Sequence, residues 1–515
     1  MTAAIRSRAE TAPDEVALVD DSGQRSWAEV HADLTRAAGA LLAAAPGAGQ
    51  RVSVLGENVI ETLVTHAAAL TVGVATVATS RQLRAEELAD QYADAGVVCA
   101  ITGPSGCPAV RAAAEQVGRT TLVVHGGPAD DPTGDTVSWQ DWLESAPPVP
   151  AGAGRRAPRP LLVYTSGTTG RARGTEVRWT TSLPETADEY VAAMTGESTF
   201  PPGPHLVVGP LQHNAPLTSI RHLLAGQPVV VLGRFDAETV LRLIETHQVT
   251  SSVMVPTHLQ RLLALPADVR ECYDVSSLQS VSQTGSACPP DTKLAMIKWF
   301  GPVFVESYGG SETGTLCRID STEWLAHRGS VGRPRAPYQV VVLDEHNEPV
   351  PPGTVGVLGF RAPEGRGPRY HADPEKTAKA YLVPGVFTLG DVGYVHEDGY
   401  VYITDRIADM VVSGGVNLYP AESEKVLAGH PAVDQVAVIG VPNADLGEAL
   451  RALVVPVGAE PDPAELEEFC RRHLAAYKVP REFEFRTELL YNAMGKLDKK
   501  AMRAPFWGGA RTIAG

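Results

Sequence analysis

Between residues 15 and 160, short apolar runs alternate with longer Ala/Leu-rich ones: VALVD, then WAEVHADLTRAAGALLAAA, then VSVLG, then IETLVTHAAALTVG. Short apolar runs suit buried strands and the longer segments suit helices, so the alternation predicts parallel strands joined by crossover helices. LLVY (161–164) reads as another strand, as do PHLVVG (204–209), SSVMVP (251–256) and LQSVSQTGSA (278–287). YVHEDGYVYI has hairpin character around Asp398 and Gly399. Residues 434–456 and 462–476 read as strand, strand and helix, a small α/β lobe at the end of the chain. The Pro/Gly/Arg-rich APPVPAGAGRRAPRP (146–160) reads as a connector inside a large domain.

Length adds that one core is not enough: 515 residues predict two or more domains. A hydrophobic share of 44% and a charged share of 20% are those of a soluble globular chain. With 44 Lys+Arg against 60 Asp+Glu, the formal charge of -16 argues against nucleic acid or an anionic membrane as the main partner. Any basic site must then be local. No run approaches the ~18 apolar residues of a membrane span and the start, MTAAIRSRAE, has no apolar signal core, which predicts a cytoplasmic protein. Six cysteines show no CxxC or metal-like pairing, so no structural zinc is expected. Nothing in the sequence sets an oligomeric state.

The chemistry begins after the strand at 161–164. Thr165, Ser166, Gly167, Thr168, Thr169 and Gly170 are six small residues in a row. Glycine lets backbone approach a ligand closely, and successive N–H groups with four hydroxyls can converge on a phosphate. The Walker spacing and GxGxxG are both absent. On composition alone such a run is a solvated loop; what changes that reading is its company further along.

Three segments together resemble the adenylate-forming superfamily of acyl-CoA synthetases, peptide-synthetase adenylation domains and beetle luciferases. The first is LLVYTSGTTGRARGTEV (161–177), similar to the family's phosphate loop, which continues Pro-Lys-Gly where this chain has Ala172, Arg173 and Gly174. The second is VFVESYGGSETG (303–314), similar to Tyr-Gly-x-Thr-Glu: Tyr308 offers a face for stacking on a base, Ser307 and Ser311 offer hydroxyls, and Glu312 is a hard oxygen ligand for Mg²⁺ beside phosphates. The third is 387–427, where Asp391 matches the carboxylate that holds the ribose hydroxyls and Arg406 the ribose and phosphate arginine.

The resemblance implies further roles. His213 would be a wall of the acyl pocket and, with Lys496, one of two candidate catalytic residues. Gly285, Ser286 and Ala287 match the small-residue strand end against which adenine and the acyl group lie, and Gly309 would leave further room in the acyl pocket. Ser413, Gly414 and Gly415 match the loop lining the passage for the pantetheine arm of CoA, and Ala408 stands at the hinge, where the family has Asp or Lys. Lys496 follows Gly495 as in the family's catalytic Gly-Lys pair. The implied fold is α/β, with a large multi-sheet N-terminal domain (1–407) and a small mobile α+β C-terminal domain (408–515).

The implied cofactors are ATP/AMP, Mg²⁺ and coenzyme A, and the implied partner is a small carboxylic acid or its acyl-adenylate. The activity expected is an acyl-CoA ligase that makes acyl-AMP and then a thioester. Ala172, Arg173 and Ala408 all bear on the first half-reaction, so a ligase impaired in adenylation that converts supplied acyl-AMP is an alternative. Loading of a carrier protein, a non-catalytic binding homologue and a luciferase-like oxygenase are others. Small residues around 205–219 and 282–312 leave volume for a bulky apolar acid: terpenoid or steroid-like, aryl, or medium-chain fatty.

Overall fold

The structure is a computed structural model that describes residues 2–118, 120–126, 136–165, 173–177, 179–363, 366–406, 409–413, 416–443, 446–491 and 497–507. The chain divides into two compact units: Met1–Pro337 with Ala362–Ala380, and Tyr338–Arg361 with Tyr381–Gly515.

The first unit holds two sheets. One runs, edge to edge, Thr136–Ser138, Thr121–Val124, Val97–Thr102, Arg51–Leu55, Ala75–Thr79, Leu162–Thr165, Arg173–Glu176. Its pairings are parallel except the last. In the other, Phe304–Gly310, Ser280–Gln283, Ser251–Met254, His205–Val207, Val229–Val231 and Val16–Asp20 lie side by side and parallel. Antiparallel strands flank them at each side, Gly314–Asp320 and then Ser330–Pro334 beyond one, Gly23–Ser26 beyond the other.

The crossover helices expected for the first 160 residues are present, but Val16–Asp20 leaves the sheet of its sequence neighbours and pairs with Val229–Val231. The reason lies in the helix Ile60–Thr71, buried at every position except Glu61. It packs against Val16–Asp20 on one side and against Arg51–Leu55 and Ala75–Thr79 on the other, so it fills the space between the sheets. A helix buried on all faces needs cover all round, and Ala67, Ala68 and Ala69 allow close approach. The helix Trp27–Ala44 beside it starts on a capping box: Glu29 N–H donates to Ser26 Oγ at 3.3 Å, and Ser26 N–H to Glu29 Oε2 at 2.8 Å.

The second unit begins as an antiparallel meander of Gln339–Leu343, Gly356–Arg361, Val386–Val395 and Val401–Arg406, with Tyr381–Val383 alongside. The predicted hairpin turns at Gly399, φ +87°. A second sheet pairs Val433–Asn443 with Gly447–Pro456, which takes Glu482–Phe485 in parallel on its other side. Alternate residues of Val433–Asn443 serve two cores: Val438 packs with Leu427, Leu450 and Leu466, while Ala437, Ile439 and Val441 pack with Leu453, Leu489 and Met502. The expected α/β class, a large multi-sheet N-terminal part and a smaller α+β C-terminal part, is thus what the structure shows.

Candidate active site

Leu162–Thr165 enters its sheet parallel to Ala75–Thr79 and pairs back on Arg173–Glu176, with Thr165 opposite Arg173 and Tyr164 opposite Gly174. These two strands flank the stretch expected from sequence to be the phosphate loop. Ser166, Gly167, Thr168, Thr169, Gly170 and Ala172 lie outside the described residues, as do the side chains of Thr165 and Arg173. Tyr164 braces the hairpin by donating its hydroxyl to Asp94 Oδ2 at 2.5 Å.

In the second sheet the parallel strands put their C-terminal ends on one edge, the usual place for a ligand in an open α/β sheet. The segment after His205–Val207 carries His213, half-buried, beside Gln212 Nε2 at 3.4 Å. The segment after Ser280–Gln283 carries Gly285 (φ +94°), Ser286 and Ala287, all exposed. Thr284 Oγ1 donates to Ser307 O at 2.9 Å, tying this end to the strand that carries Ser307 and Tyr308. That strand ends in Gly309 and Gly310, and Ser311 and Glu312 follow in the turn to Gly314. Three stretches picked from sequence therefore share one sheet edge.

At Gly309 the close approach is to the chain's own backbone. A Cβ there would stand 1.9 Å from Gly314 O, across the hairpin that carries Glu312. Gly309→Ala is therefore expected to lose about 1–3 kcal/mol of stability, since the strand must shift to relieve the clash. Urea midpoints check this; an unchanged midpoint would show slack in the turn.

One residue joins the two regions, and sequence reasoning missed it. Tyr370 bridges to Thr175 on the strand Arg173–Glu176, and its hydroxyl donates to Glu312 Oε1 at 3.1 Å. Burial, then the Glu312 charge, push the Tyr370 phenol upward. No local pattern marks a tyrosine 58 residues beyond its partner. Glu312 also fits a magnesium ion: Oε1 is held, no described residue donates to Oε2, and one carboxylate with substrate phosphates suffices. Among the described residues no cluster of three His, Cys, Asp or Glu offers a self-sufficient metal cage.

In the second unit Asp391 is 3% exposed and lies opposite Arg406 in the strand register; the Arg406 side chain lies outside the described residues. Gly390 before it has φ +80°, a conformation that favours glycine. Ser413 pairs with Val416 and Gly447. Ala408, Gly414, Gly415 and Lys496 lie outside the described residues. Lys499, three residues on, is held by Glu424 Oε1 at 2.8 Å. Its own burial disfavours the charge, but Glu424, Asp405 and Asp409 outweigh that and raise its ammonium above the usual lysine value.

Residues 5–367 match the model of the AMP-binding enzyme family, and residues 422–496 that of the AMP-binding enzyme C-terminal domain. A feruloyl-CoA synthase of Amycolatopsis sp. is 34% identical over 507 residues, covering 97% of this chain and 97% of the relative. A medium/long-chain fatty-acid–CoA ligase of Mycobacterium tuberculosis is 33% identical over 453 residues, 82% of this chain and 75% of the relative. Among solved structures, an amide bond synthetase from Marinactinospora thermotolerans superposes with a TM-score of 0.82 at 27% identity, covering 98% of this chain and 99% of that one. With both family models matched along the chain and relatives aligned over nearly its whole length, the protein belongs to the AMP-binding enzymes, in the acyl-CoA ligase branch of the adenylate-forming superfamily.

Proposed function

We infer that the protein is an AMP-forming acid–thiol ligase, an acyl-CoA synthetase. A carboxylate oxygen attacks the α-phosphorus of ATP and the bond to pyrophosphate breaks, giving acyl-AMP. The thiol of coenzyme A then attacks the acyl carbon, the bond to AMP breaks, and the thiol proton passes to solvent. The observation that carries this reading is the meeting of the phosphate-loop hairpin with the Glu312 turn through Tyr370, at a sheet edge that also bears His213 and Gly285–Ala287.

In the first step two anions must meet, so electrostatic stabilisation dominates. The proposed supply is the amides of 165–170, Arg173, and Lys496; magnesium, when bound at Glu312, neutralises phosphate charge. Tyr308, Ser286, Ser307 and Ser311 are proposed to hold the base and phosphate side of the nucleotide, and Asp391 and Arg406 its ribose. His213, Gly285, Ala287 and Gly309 are proposed to border the acyl group. The second step needs a thiol delivered in line with the carbonyl. Ser413, Gly414 and Gly415 are proposed to line its passage, with Ala408 as the hinge about which the lobe 408–515 exchanges Lys496 for that loop.

The relatives named for feruloyl and medium/long-chain fatty acyl groups support an aryl or fatty acid as substrate. ATP and CoA are cytoplasmic metabolites, and the cytoplasm is the proposed location. Acid-dependent exchange of pyrophosphate into ATP is the test, run with aryl and fatty acids beside thioester formation from a synthetic acyl-adenylate. Both activities are expected. Thioester formation without exchange would mean that Ala172, Arg173 and Ala408 have cost the first step, and absence of both would sink the reading.

A further inference from the structure

The contact between Tyr370 and Glu312 sits in a frame of hydrogen bonds that joins distant segments. The backbone on either side of Tyr370 is clipped to the strand that leaves the phosphate loop: Thr175 Oγ1 donates to Arg369 O at 3.2 Å, and His371 N–H donates to Gly174 O at 2.7 Å. His371 anchors the far side, its Nε2 3.2 Å from Asp94 O and its Nδ1 3.5 Å from the Arg51 guanidinium. Tyr370 N–H donates to Thr377 Oγ1 at 3.0 Å, and the Lys376 ammonium lies 4.0 Å from the centre of the Tyr370 ring. Asp94 also receives the Tyr164 hydroxyl, so the same anchor serves the strand that enters the loop. The phenol is thus fixed with respect to both strands of the hairpin. Glu312, by contrast, lies in a turn whose neighbours are small: Gly309, Gly310 and Gly314. Left alone, a glutamate there samples several rotamers.

We propose that Tyr370 is a positioning residue for the cation site. By occupying Oε1 of Glu312 from a backbone clipped to the phosphate-loop hairpin, it holds the carboxylate in one orientation, leaves Oε2 for the cation, and ties the place of the cation to the place of the phosphates. Hydrogen-bonded partners of a metal carboxylate orient it, and their loss costs about 10–100-fold in metal affinity. Residue 370 acts through Glu312; it touches neither substrate nor cofactor. The inference rests on the proposed role of Glu312 as the magnesium carboxylate.

The test is equilibrium binding of α,β-methylene-ATP with saturating Mg²⁺ and again in EDTA, for the wild type, Tyr370→Phe, Glu312→Gln and the double variant. The wild type is expected to bind more tightly with the metal. Tyr370→Phe should cut that metal-dependent gain by about tenfold, leave binding in EDTA unchanged, and melt with the wild type. In Glu312→Gln, adding Tyr370→Phe should change nothing further. An unaltered metal gain in Tyr370→Phe overturns the proposal, as does an equal loss in EDTA, which would assign the tyrosine to the loop itself. A wild type with no metal-dependent gain would instead overturn the cation role of Glu312, and the proposal with it.

Discussion

Lys496→Ala is expected to slow acid-dependent pyrophosphate exchange by about 10²–10³-fold, while thioester formation from a synthetic acyl-adenylate stays within a few-fold of the wild type. Losing one preorganised charge from a step in which a carboxylate meets a triphosphate costs about 3–4 kcal/mol of barrier height. The second half-reaction expels AMP, already a good leaving group, and gains little from that charge. Nor does Lys499 stand ready to substitute. Its ammonium is bonded to Glu424, with the charges of Asp405 and Asp409 nearby, so moving it would leave carboxylates uncompensated. Lys499→Ala should therefore lower the melting temperature and reduce both half-reactions together, through folding. Rates of the two half-reactions for each variant decide the matter; an equal loss in both for Lys496→Ala would remove that lysine from the adenylation step.

Lys293→Met should destabilise the protein by about 3–5 kcal/mol at pH 8 and by less near pH 5. Lys293 Nζ lies 2.5 Å from Glu306 Oε2, with the two side chains 1% and 10% exposed, and 4.6 Å from the centre of the Trp324 ring. Together they lock the helix Pro290–Phe300 to the strand Phe304–Gly310, which carries Tyr308 and leads into Glu312. Burial raises the Glu306 carboxyl above its ordinary value even with the lysine pulling the other way. Without the lysine the carboxyl rises further. The folded chain then takes up a proton at pH values where the unfolded chain has lost it, so stability falls as pH rises through that window, the reverse of ordinary acid denaturation. Urea midpoints at the two pH values give the measurement, and a pH-independent deficit would rule out the uncompensated carboxylate as its cause. Lys293→Met with Glu306→Leu should recover much of the loss, because an apolar pair of similar volume carries no desolvation penalty.

Much of the architecture is written in local order. VSVLG and IETLVTHAAALTVG become a strand and a helix as their lengths predict, a short apolar run suiting a buried strand and a longer Ala/Leu-rich one a buried helix. TSGTTG, YGGSETG and the glycine–aspartate pair at 390–391 are legible together: each alone reads as an ordinary turn, and their order and spacing along the chain carry the resemblance. The α/β class follows from the alternation of apolar runs, and the adenylate-forming family and the ligase chemistry follow from the resemblance that the three segments carry together.

Sheet order is another matter. Nothing in VALVD says that it pairs with Val229–Val231 rather than with VSVLG, or that the apolar helix between them will be covered from both sides. The steric role of Gly309 against Gly314, the burial of Lys499 among carboxylates and the reach of Tyr370 to Glu312 are likewise set by which strands become neighbours. Local periodicity selects an element and its buried face; its partner is chosen by the packing of the whole domain, and the hydrogen bonds that join distant segments exist only once that choice is made.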